Sequence, residues 1–257
     1  MNLKKQYSNN GYIKINNFLE KKDITKINNE FKKIIKVQLE KFNKKSKNKK
    51  LKELIHLAMK NNPQIRKVTY DLIKYASSVR RIQSSETLLK ILKNIGFKMP
   101  LSTDFPSVRV DISDEKKFLR GPHQDVGSVI SKNCATIWIP LTEVNDRRGT
   151  VALYKNTHKQ KLRKQIFISR ENLINNEVSL QGVNLKSKIV INAKPGDLII
   201  FDSFIVHESV PATEKNNIKL NIQFFVNDAQ YIDPRNKYFH LKKKFNEIRS
   251  KQIEKIS

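Results

Sequence analysis

The sequence predicts a mainly β protein, a jelly roll flanked by helices, with a helical N-terminal region. Apolar residues recur at helical spacing up to about residue 105. From residue 107 they alternate with polar residues in short segments, as in strands that bury one face. Gly, Pro and Asn-Asp turns separate these segments, which favours antiparallel sheets over a parallel sheet with crossover helices.

Four helices are predicted before the strands begin. The first follows Asp23, interpreted as its N-cap, and its apolar stripe consists of Ile24, Ile27, Phe31, Ile34 and Ile35. A charged connector, residues 41–50, leads to a short helix that ends before Asn62-Pro63, because a residue preceding proline is pushed out of the α region. The third starts at Pro63 and carries Val68, Leu72, Ile73 and Tyr75. The fourth opens near Ser84 or Ser85 and ends at Gly96. All four stripes are expected to pack against a sheet.

Six strands are predicted after residue 107. They cover residues 108–112, 135–141, 150–154, 189–191, 198–206 and 218–226. The polar stretch 158–188 lies between strands, and loops of that length are usually functional lids or disordered segments. We expect one domain over residues 1–257, made of a helical part (1–105), a jelly-roll core (106–228) with the insert 158–188, and a C-terminal part (229–257) with a charged helix over residues 235–256.

The composition narrows the class of protein. One cysteine, Cys134, excludes an intrachain disulfide and favours a reducing compartment. No apolar run follows the basic N-terminus or approaches the roughly 18 residues of a membrane span, so a cytoplasmic location is expected. The formal net charge of +27 fits either an electrostatic footprint for nucleic acid or a compositional bias. Because the lysines are spread along the whole chain, the bias is favoured and no specific nucleic-acid partner is expected.

Three residues form the ligand set of a two-histidine, one-carboxylate metal site. His123 and Asp125 lie two residues apart, so in a strand they would project to the same face, while Gln124 would point away in a supporting role. His207 comes much later, at the far end of the apolar strand 198–206. Neutral imidazoles and a carboxylate suit Fe(II) with open coordination positions. Catalytic zinc stays an alternative, whereas structural zinc would want four protein ligands.

The surroundings of these residues carry a family resemblance. The segment Arg120-Gly121-Pro122 precedes His123, the chain opens with Gly11-Tyr12 and Phe18-Leu19 before its first long helix, and residues 149–159 run from Gly149-Thr150 to Thr157-His158-Lys159. In these features the chain resembles the phytanoyl-CoA dioxygenase-like Fe(II)- and 2-oxoglutarate-dependent oxygenases. The resemblance extends to the strand at 218–226 and implies a double-stranded β-helix, a cupin-like jelly roll.

That resemblance implies an activity and a ligand set. The metal ligands would be His123, Asp125 and His207, with Fe(II), 2-oxoglutarate as cosubstrate and O2. The reaction implied is hydroxylation of a C–H bond with release of succinate and CO2. Halogenating relatives replace the carboxylate ligand with a small residue, so Asp125 favours hydroxylation.

The chain departs from the family at the cosubstrate anchor. Relatives usually hold the far carboxylate of 2-oxoglutarate with an arginine on the strand after the distal histidine, and here the candidate is Lys219. Lysine lacks the planar two-pronged grip of arginine, so Arg109 is the alternative anchor. Ser209 matches a hydroxyl position that assists in parts of the family. Asn221 shares a face with Lys219 and is expected to line the same pocket.

The substrate is expected to be a small molecule, and the candidate contacts are Arg109, Arg120, Trp138 and Asn221. Trp138 is interpreted first as a core residue, and Arg109 with Asp111 equally as a salt bridge on the outer face. An anionic substrate would suit the basic residues of the insert, Lys159, Lys161, Arg163, Lys164 and Arg170. His158 is interpreted as a packing residue. Two alternatives stay open: an oxygenase acting on nucleic acid or protein, and a non-catalytic jelly-roll binding module. The oligomeric state is not predicted.

Overall fold

The computed structural model describes residues 2–60, 62–170 and 173–254. Within those ranges, antiparallel strands form two sheets and a separate hairpin, and helices cover the larger sheet. This is the predicted jelly roll with a helical N-terminal part. No helix in the described part of the chain is long and apolar enough to cross a membrane.

Seven α-helices are described, six of them before the second strand. They are α1 (Leu3–Asn10), α2 (Lys21–Lys41), α3 (Leu51–Ile55), α4 (Pro63–Ile73), α5 (Ser77–Gln83), α6 (Glu86–Asn94) and α7 (Lys237–Glu254). A π-helical turn, His56–Lys60, continues α3. Asn62 caps α4 through a bond from the Ile65 amide, and Ser85 caps α6 as predicted. A charged helix, α7, lies where the closing helix was predicted over residues 235–256, of which residues 255 and 256 fall outside the described part of the chain.

The strands occupy the following residues: β1 (Tyr12–Ile15), β2 (Pro100–Ser102), β3 (Ser107–Ile112), β4 (Cys134–Pro140), β5 (Arg148–Tyr154), β6 (Gln165–Arg170), β7 (Leu173–Val178), β8 (Lys188–Val190), β9 (Leu198–Asp202), β10 (Val206–Ala212) and β11 (Ile218–Asp228). The larger sheet has the order β1-β9-β4-β11-β2, and β3 also pairs with β11. The smaller sheet has the order β10-β5-β8, and β6 and β7 form the hairpin.

Alternation along the central strand β11 separates the core from the site. Its apolar residues Ile218, Leu220, Ile222, Phe224 and Val226 join the core that the larger sheet shares with the helices. The residues between them, Lys219, Asn221, Gln223 and Phe225, face the opposite way, because successive strand residues point to opposite faces. The inner face of the larger sheet therefore carries polar side chains in its middle.

A second apolar cluster joins the two sheets. Trp138 and Phe201 from the larger sheet pack with Val151 and Leu153 from the smaller one. Trp138 is thus a core residue, with 5% of its surface exposed. This cluster fixes the separation of the sheets beside the polar patch.

Several expectations for the helical part are wrong in detail. Residues 12–15 form strand β1, which pairs with β9, and residues 100–102 form β2; both are too short to show a clear period. The N-cap of α2 is Glu20, and Asp23 lies at the third helical position, where its carboxylate accepts from the Glu20 amide. Leu72 and Tyr75 are exposed rather than packed against a sheet.

The apolar run 198–206 is not one strand. It breaks at Ser203–Ile205 into β9 of the larger sheet and β10 of the smaller sheet. The Asp202 carboxylate accepts the Phe204 amide, and the Ile205 amide donates to the Asp202 carbonyl, so the chain turns there. His207 consequently lies near the start of β10 instead of at the far end of a strand.

The insert 158–188 is ordered where the structure describes it. It contains the β6–β7 hairpin, and the carbonyl of Pro122 accepts the Val178 amide at the end of β7. This bond ties the hairpin to the segment that carries His123. The insert is therefore a wall of the site rather than a structureless loop.

Candidate metal centre and its two cavities

His123 and His207 are held opposite each other by their own backbones. They form an isolated antiparallel bridge in which the His123 amide donates to the His207 carbonyl at 2.8 Å and the His207 amide returns the bond at 3.0 Å. Directly opposed residues project side by side, and the two ring centroids lie 4.0 Å apart. The bridge joins the segment that carries His123 to β10.

Asp125 reaches the same place without a strand. The expectation that His123 and Asp125 lie in a strand is wrong, because residue 123 makes only a bridge and Asp125 precedes a 3-10 turn, Val126–Ser128. The Asp125 amide donates to the Ser203 carbonyl at 3.0 Å. Gln124 points away as expected: its amide donates to the carbonyls of Phe204, at 2.6 Å, and Lys161, at 2.7 Å.

The three side chains converge on one buried point. One candidate ligand atom from each of His123, Asp125 and His207 lies within 4.8 Å of the others. Nε2 of His207 lies 3.3 Å from Asp125 Oδ2, and Nε2 of His123 lies 3.8 Å from Asp125 Oδ1. Each residue is no more than 5% exposed. The structure thus brings together the three predicted ligands.

Backbone carbonyls orient both imidazoles. Nδ1 of His123 lies 2.7 Å from the Gly121 carbonyl, and Nδ1 of His207 lies 3.0 Å from the Ile205 carbonyl. Since a carbonyl only accepts, each Nδ1 donates a proton, which leaves each Nε2 on the side of Asp125 as the ring atom available to a metal. Burial, together with the charge of Arg120 and the neighbouring His207, lowers the pKa of His123 well below its ordinary value. His123 is therefore neutral near pH 7.

Asp125 is stabilised as a carboxylate. Burial alone would raise its pKa, but His207, His123 and Arg120 outweigh burial and hold that pKa below its usual range. The Thr136 hydroxyl donates to Oδ2 at 2.9 Å, and the Arg120 guanidinium lies 3.6 Å from Oδ1. Sequence reasoning assigned no role to Thr136, which lies two residues before Trp138 on β4.

This donor set fits a divalent metal with open coordination positions. Two imidazoles and one carboxylate approach from one side, which is the arrangement of non-haem Fe(II) sites. The described residues offer no fourth nitrogen, sulfur or carboxylate ligand in the group. A structural zinc site, which would use four protein ligands, is therefore disfavoured.

An inner cavity adjoins the two histidines. Its lining includes Trp138, Ser209, Lys219 and Asn221, and also Arg109 and Arg120. Ser209 accepts the Arg120 amide at 3.0 Å. The predicted cosubstrate and substrate candidates are thus gathered in one place, beside His123 and His207.

A charged trio forms one wall of this inner cavity. Asp111 faces Lys219 in the β3–β11 register, and Arg109 faces Asn221. Asp111 accepts from Arg109 Nε at 2.9 Å and lies 2.7 Å from Lys219 Nζ. Burial opposes ionisation of Asp111, but Arg109 and Lys219 outweigh it and lower its pKa. The salt bridge of Arg109 is real, but the expectation that it lies on the outer face is wrong.

Asn221 lies fully buried in the same wall. Neither its Oδ1 nor its Nδ2 has a hydrogen-bond partner among the described residues. Burying a polar group without a partner is costly, and such groups in native structures call for an explanation. An unsatisfied amide that lines a cavity is poised to bond to something that enters it.

An outer cavity of about 310 Å³ lies on the other side of Asp125. Asp125 and Arg120 line it, and the insert and α7 contribute Phe167, Asn175, Asn176 and Phe245. Sequence reasoning missed these last four. The one available signal was the isolated phenylalanines, Phe167 in the polar insert and Phe245 in a charged helix.

The basic residues of the insert lie elsewhere. Among the described residues, Lys159, Lys161, Arg163 and Lys164 do not line the outer cavity. Lys161 Nζ lies 5.5 Å from the centre of the Phe204 ring, and Arg163 donates to the Gln181 carbonyl. The side chain of Arg170 lies outside the described residues. His158 packs as expected, with Nε2 3.0 Å from the Ser8 carbonyl.

Comparisons with solved structures give the same fold. The epimerase SnoN, in complex with Fe3+, alpha ketoglutarate and nogalamycin RO, is 13% identical with a TM-score of 0.61, covering 92% of this chain and 87% of SnoN. The non-heme monooxygenase ThoJ is 14% identical with a TM-score of 0.61, covering 92% and 79%. HygX from Streptomyces hygroscopicus, with nickel and 2-oxoglutarate bound, is 10% identical with a TM-score of 0.51, covering 88% and 85%.

The family is established by the sequence itself. No curated protein gave a significant match. Residues 7–216 match the family described as phytanoyl-CoA dioxygenase (PhyH). This range contains all three candidate ligands and ends between β10 and β11. The chain belongs to the phytanoyl-CoA dioxygenase (PhyH) family.

Proposed function

We propose that this protein is an Fe(II)- and 2-oxoglutarate-dependent dioxygenase that hydroxylates a C–H bond of a small molecule, with release of succinate and CO2. One observation carries the proposal. A buried set of two imidazoles and a carboxylate lies between an inner cavity with paired cations and a larger outer cavity. That arrangement provides separate places for a dicarboxylate cosubstrate and for a substrate on either side of the metal.

In this proposal His123, Asp125 and His207 hold the iron. Bound iron would supply the redox chemistry that couples 2-oxoglutarate and O2 to the substrate. The protein supplies geometry: Gly121 and Ile205 fix the two ring orientations, and Thr136 fixes the carboxylate. The presence of Asp125 supports hydroxylation, because a carboxylate fills the position that halogenating relatives leave to chloride.

The inner cavity is proposed to bind 2-oxoglutarate. Lys219 and Arg109 both face Asp111, so the three side chains together keep one net positive charge for the far carboxylate. Asn221 and Ser209 add hydrogen-bonding groups in the same lining. In this proposal two cations on neighbouring strands, Arg109 on β3 and Lys219 on β11, take the place of the single arginine that relatives use.

We further propose that residues 1–257 act as one oxygenase domain. The helices before residue 105 share their apolar core with the larger sheet, and α7 lines the outer cavity through Phe245. The helices before residue 105 and α7 therefore belong to the same structure as the jelly roll. Limited proteolysis checks this: a single resistant fragment is expected, and early separation of the helical part from the jelly roll would contradict it.

The proposal is tested by an anaerobic titration of metal-free protein with Fe(II) and then 2-oxoglutarate. A visible charge-transfer band of the chelate is expected in the wild type and should be lost in His207→Ala. His240→Ala is the matched control, since His240 is an exposed histidine of α7 outside both cavities. Folded wild-type protein that gives no band would contradict the proposal. A catalytic zinc site or a non-catalytic binding module would then be the favoured interpretation.

A further inference from the structure

The outer cavity has a composition that differs from the rest of the molecule. The chain carries 51 lysines and arginines, yet among the described residues only Arg120 brings a cation to this cavity. Most of the polar lining consists of uncharged amides and hydroxyls, including Gln124, Ser128 and Asn175. The lining of this cavity therefore carries little of the positive charge that the rest of the chain has.

The one cation is already engaged. Arg120 lies 3.6 Å from Asp125 Oδ1 and also donates to the Asn176 side-chain carbonyl. With a dication and a dicarboxylate at the centre, the ligand set would keep one net negative charge, and Arg120 offsets it. A carboxylate or phosphate on the substrate would enter without a free partner, and burying an unpaired charge is strongly unfavourable.

One amide of the lining, by contrast, has a donor to spare. Asn175 Nδ2 is buried and has no hydrogen-bond partner among the described residues. Asn176 is fixed as a donor to the Gln124 carbonyl at 3.1 Å and to Gln165 Oε1 at 3.0 Å, so its position is set before any ligand arrives. The free Asn175 Nδ2 beside it can donate to a hydroxyl, carbonyl or amide oxygen of a ligand.

Three phenyl rings provide the other part of the lining. Phe167 from the hairpin and Phe245 from α7 have their ring centroids 5.4 Å apart, and Phe225 projects from β11. Each ring is only partly buried, so apolar surface is left for a ligand to cover. Phe245 also lies close to Gly127, where an added Cβ would stand 3.1 Å from the ring. The aromatic wall is thus packed firmly against the metal-site turn.

We propose that the outer cavity takes a neutral small molecule that carries several hydroxyl or amide groups and one apolar face, and that it rejects carboxylates, phosphates and acyl-CoA thioesters. The inference rests on the proposed function, because it treats this cavity as the substrate chamber of the same metal site. A volume of about 310 Å³ suits a compact molecule and lies at the small end of ligand pockets.

The test is saturation-transfer NMR on the full chain loaded with Ni(II) and 2-oxoglutarate, so that the centre is occupied but unreactive. The probes are a fragment set in equal thirds: neutral ring polyols and amides, ring carboxylates and phosphates, and unsubstituted arenes. Asn175→Leu removes the free amide with little change of volume. Phe245→Ala removes the ring on the opposite wall. Asn16→Leu, an exposed asparagine in a separate surface cleft, is the matched control.

Binding is expected mainly from the neutral polyols and amides. Their affinity should fall about tenfold in Asn175→Leu, as for loss of a buried hydrogen bond, and also in Phe245→Ala, while Asn16→Leu binds as the wild type does. A majority of anionic binders, no binders at all, or binders unaffected by both cavity variants would overturn the inference. The Fe(II) chelate band of the wild type keeps the two proposals separate: a band with anionic binders refutes only the substrate class, whereas absence of the band refutes the function.

Discussion

Lys219 stands directly opposite Asp111 in the β3–β11 ladder, and its Nζ lies 2.7 Å from Asp111 Oδ2. Arg109 occupies the other carboxylate oxygen at 2.9 Å. A single buried carboxylate therefore separates two cations that would otherwise repel each other beside the metal centre. The affinity of the proposed cosubstrate site should therefore depend on the charged residues of both β3 and β11.

Lys219→Met tests the anchor. The substitution keeps a long, unbranched side chain and removes the charge, so 2-oxoglutarate is expected to bind about 10- to 100-fold more weakly, as for loss of a charge-assisted hydrogen bond. Titration of the Fe(II) protein with 2-oxoglutarate measures the dissociation constant. Lys188→Met, in which the lost lysine pairs with Glu208 at the cavity edge, is the comparison. An unchanged constant in Lys219→Met would remove Lys219 from the anchor.

Asp111→Asn should change stability and cosubstrate response in opposite directions. Without the carboxylate, Arg109 and Lys219 face each other unscreened, so the melting temperature of the free protein is expected to fall. An added dicarboxylate relieves that repulsion, so 2-oxoglutarate should raise the melting temperature more in the variant than in the wild type. Differential scanning fluorimetry with and without 2-oxoglutarate gives both values. A smaller shift in the variant would mean that the dicarboxylate binds elsewhere.

Thr136→Val addresses the support of the metal ligand. The hydroxyl bonds to Asp125 Oδ2 at 2.9 Å, and removal of such a partner typically weakens metal binding about 10- to 100-fold. Isothermal titration with Co(II) measures the affinity. Thr213→Val, at an exposed position, should leave the affinity unchanged. Equal affinities in both variants would show that Asp125 is held without Thr136.

Asp202→Asn predicts a pH-dependent gain in stability. Burial raises the pKa of Asp202 to about 6, so the folded state binds more protons than the unfolded state between about pH 4 and that value. The free energy of unfolding of the wild type therefore falls as the pH rises through this window. The amide cannot ionise and still accepts the Phe204 amide, so the variant should be more stable at pH 8 by about 3 kcal/mol.

Urea unfolding at pH 4.5 and pH 8 checks the last prediction. The difference between variant and wild type should be small at the lower pH and appear at the higher one. The exposed Asp146→Asn variant supplies the baseline for removing a carboxylate. A difference of the same size at both pH values would indicate that Asp202 does not titrate as its burial implies.

The candidate ligands were predictable because they occur in short, recognisable sequence motifs. His123, Asp125 and His207 needed only residue type and context, and the alternation of β11 placed Lys219 and Asn221 on one face. These features depend on local pattern, which a sequence displays directly.

The outer cavity was not predictable, because its lining depends on contacts between distant parts of the chain. Phe167 and Phe245 are 78 positions apart, since one belongs to the insert and the other to the C-terminal helix, and only tertiary packing brings their rings to 5.4 Å. The break at Ser203–Ile205 was hidden because Phe204, Ile205 and Val206 continue the apolar character of β9. The short strand β1 gains its hydrogen bonds only from β9, far along the chain.

The corner between β9 and β10 links the metal centre to the architecture of the whole jelly roll. Three successive carbonyls there, from Ser203, Phe204 and Ile205, accept the Asp125 amide, the Gln124 side chain and His207 Nδ1. The backbone of this corner thus holds the ligand segment in place. A substitution that disrupts the corner should therefore disturb the metal site and the connection between the two sheets together.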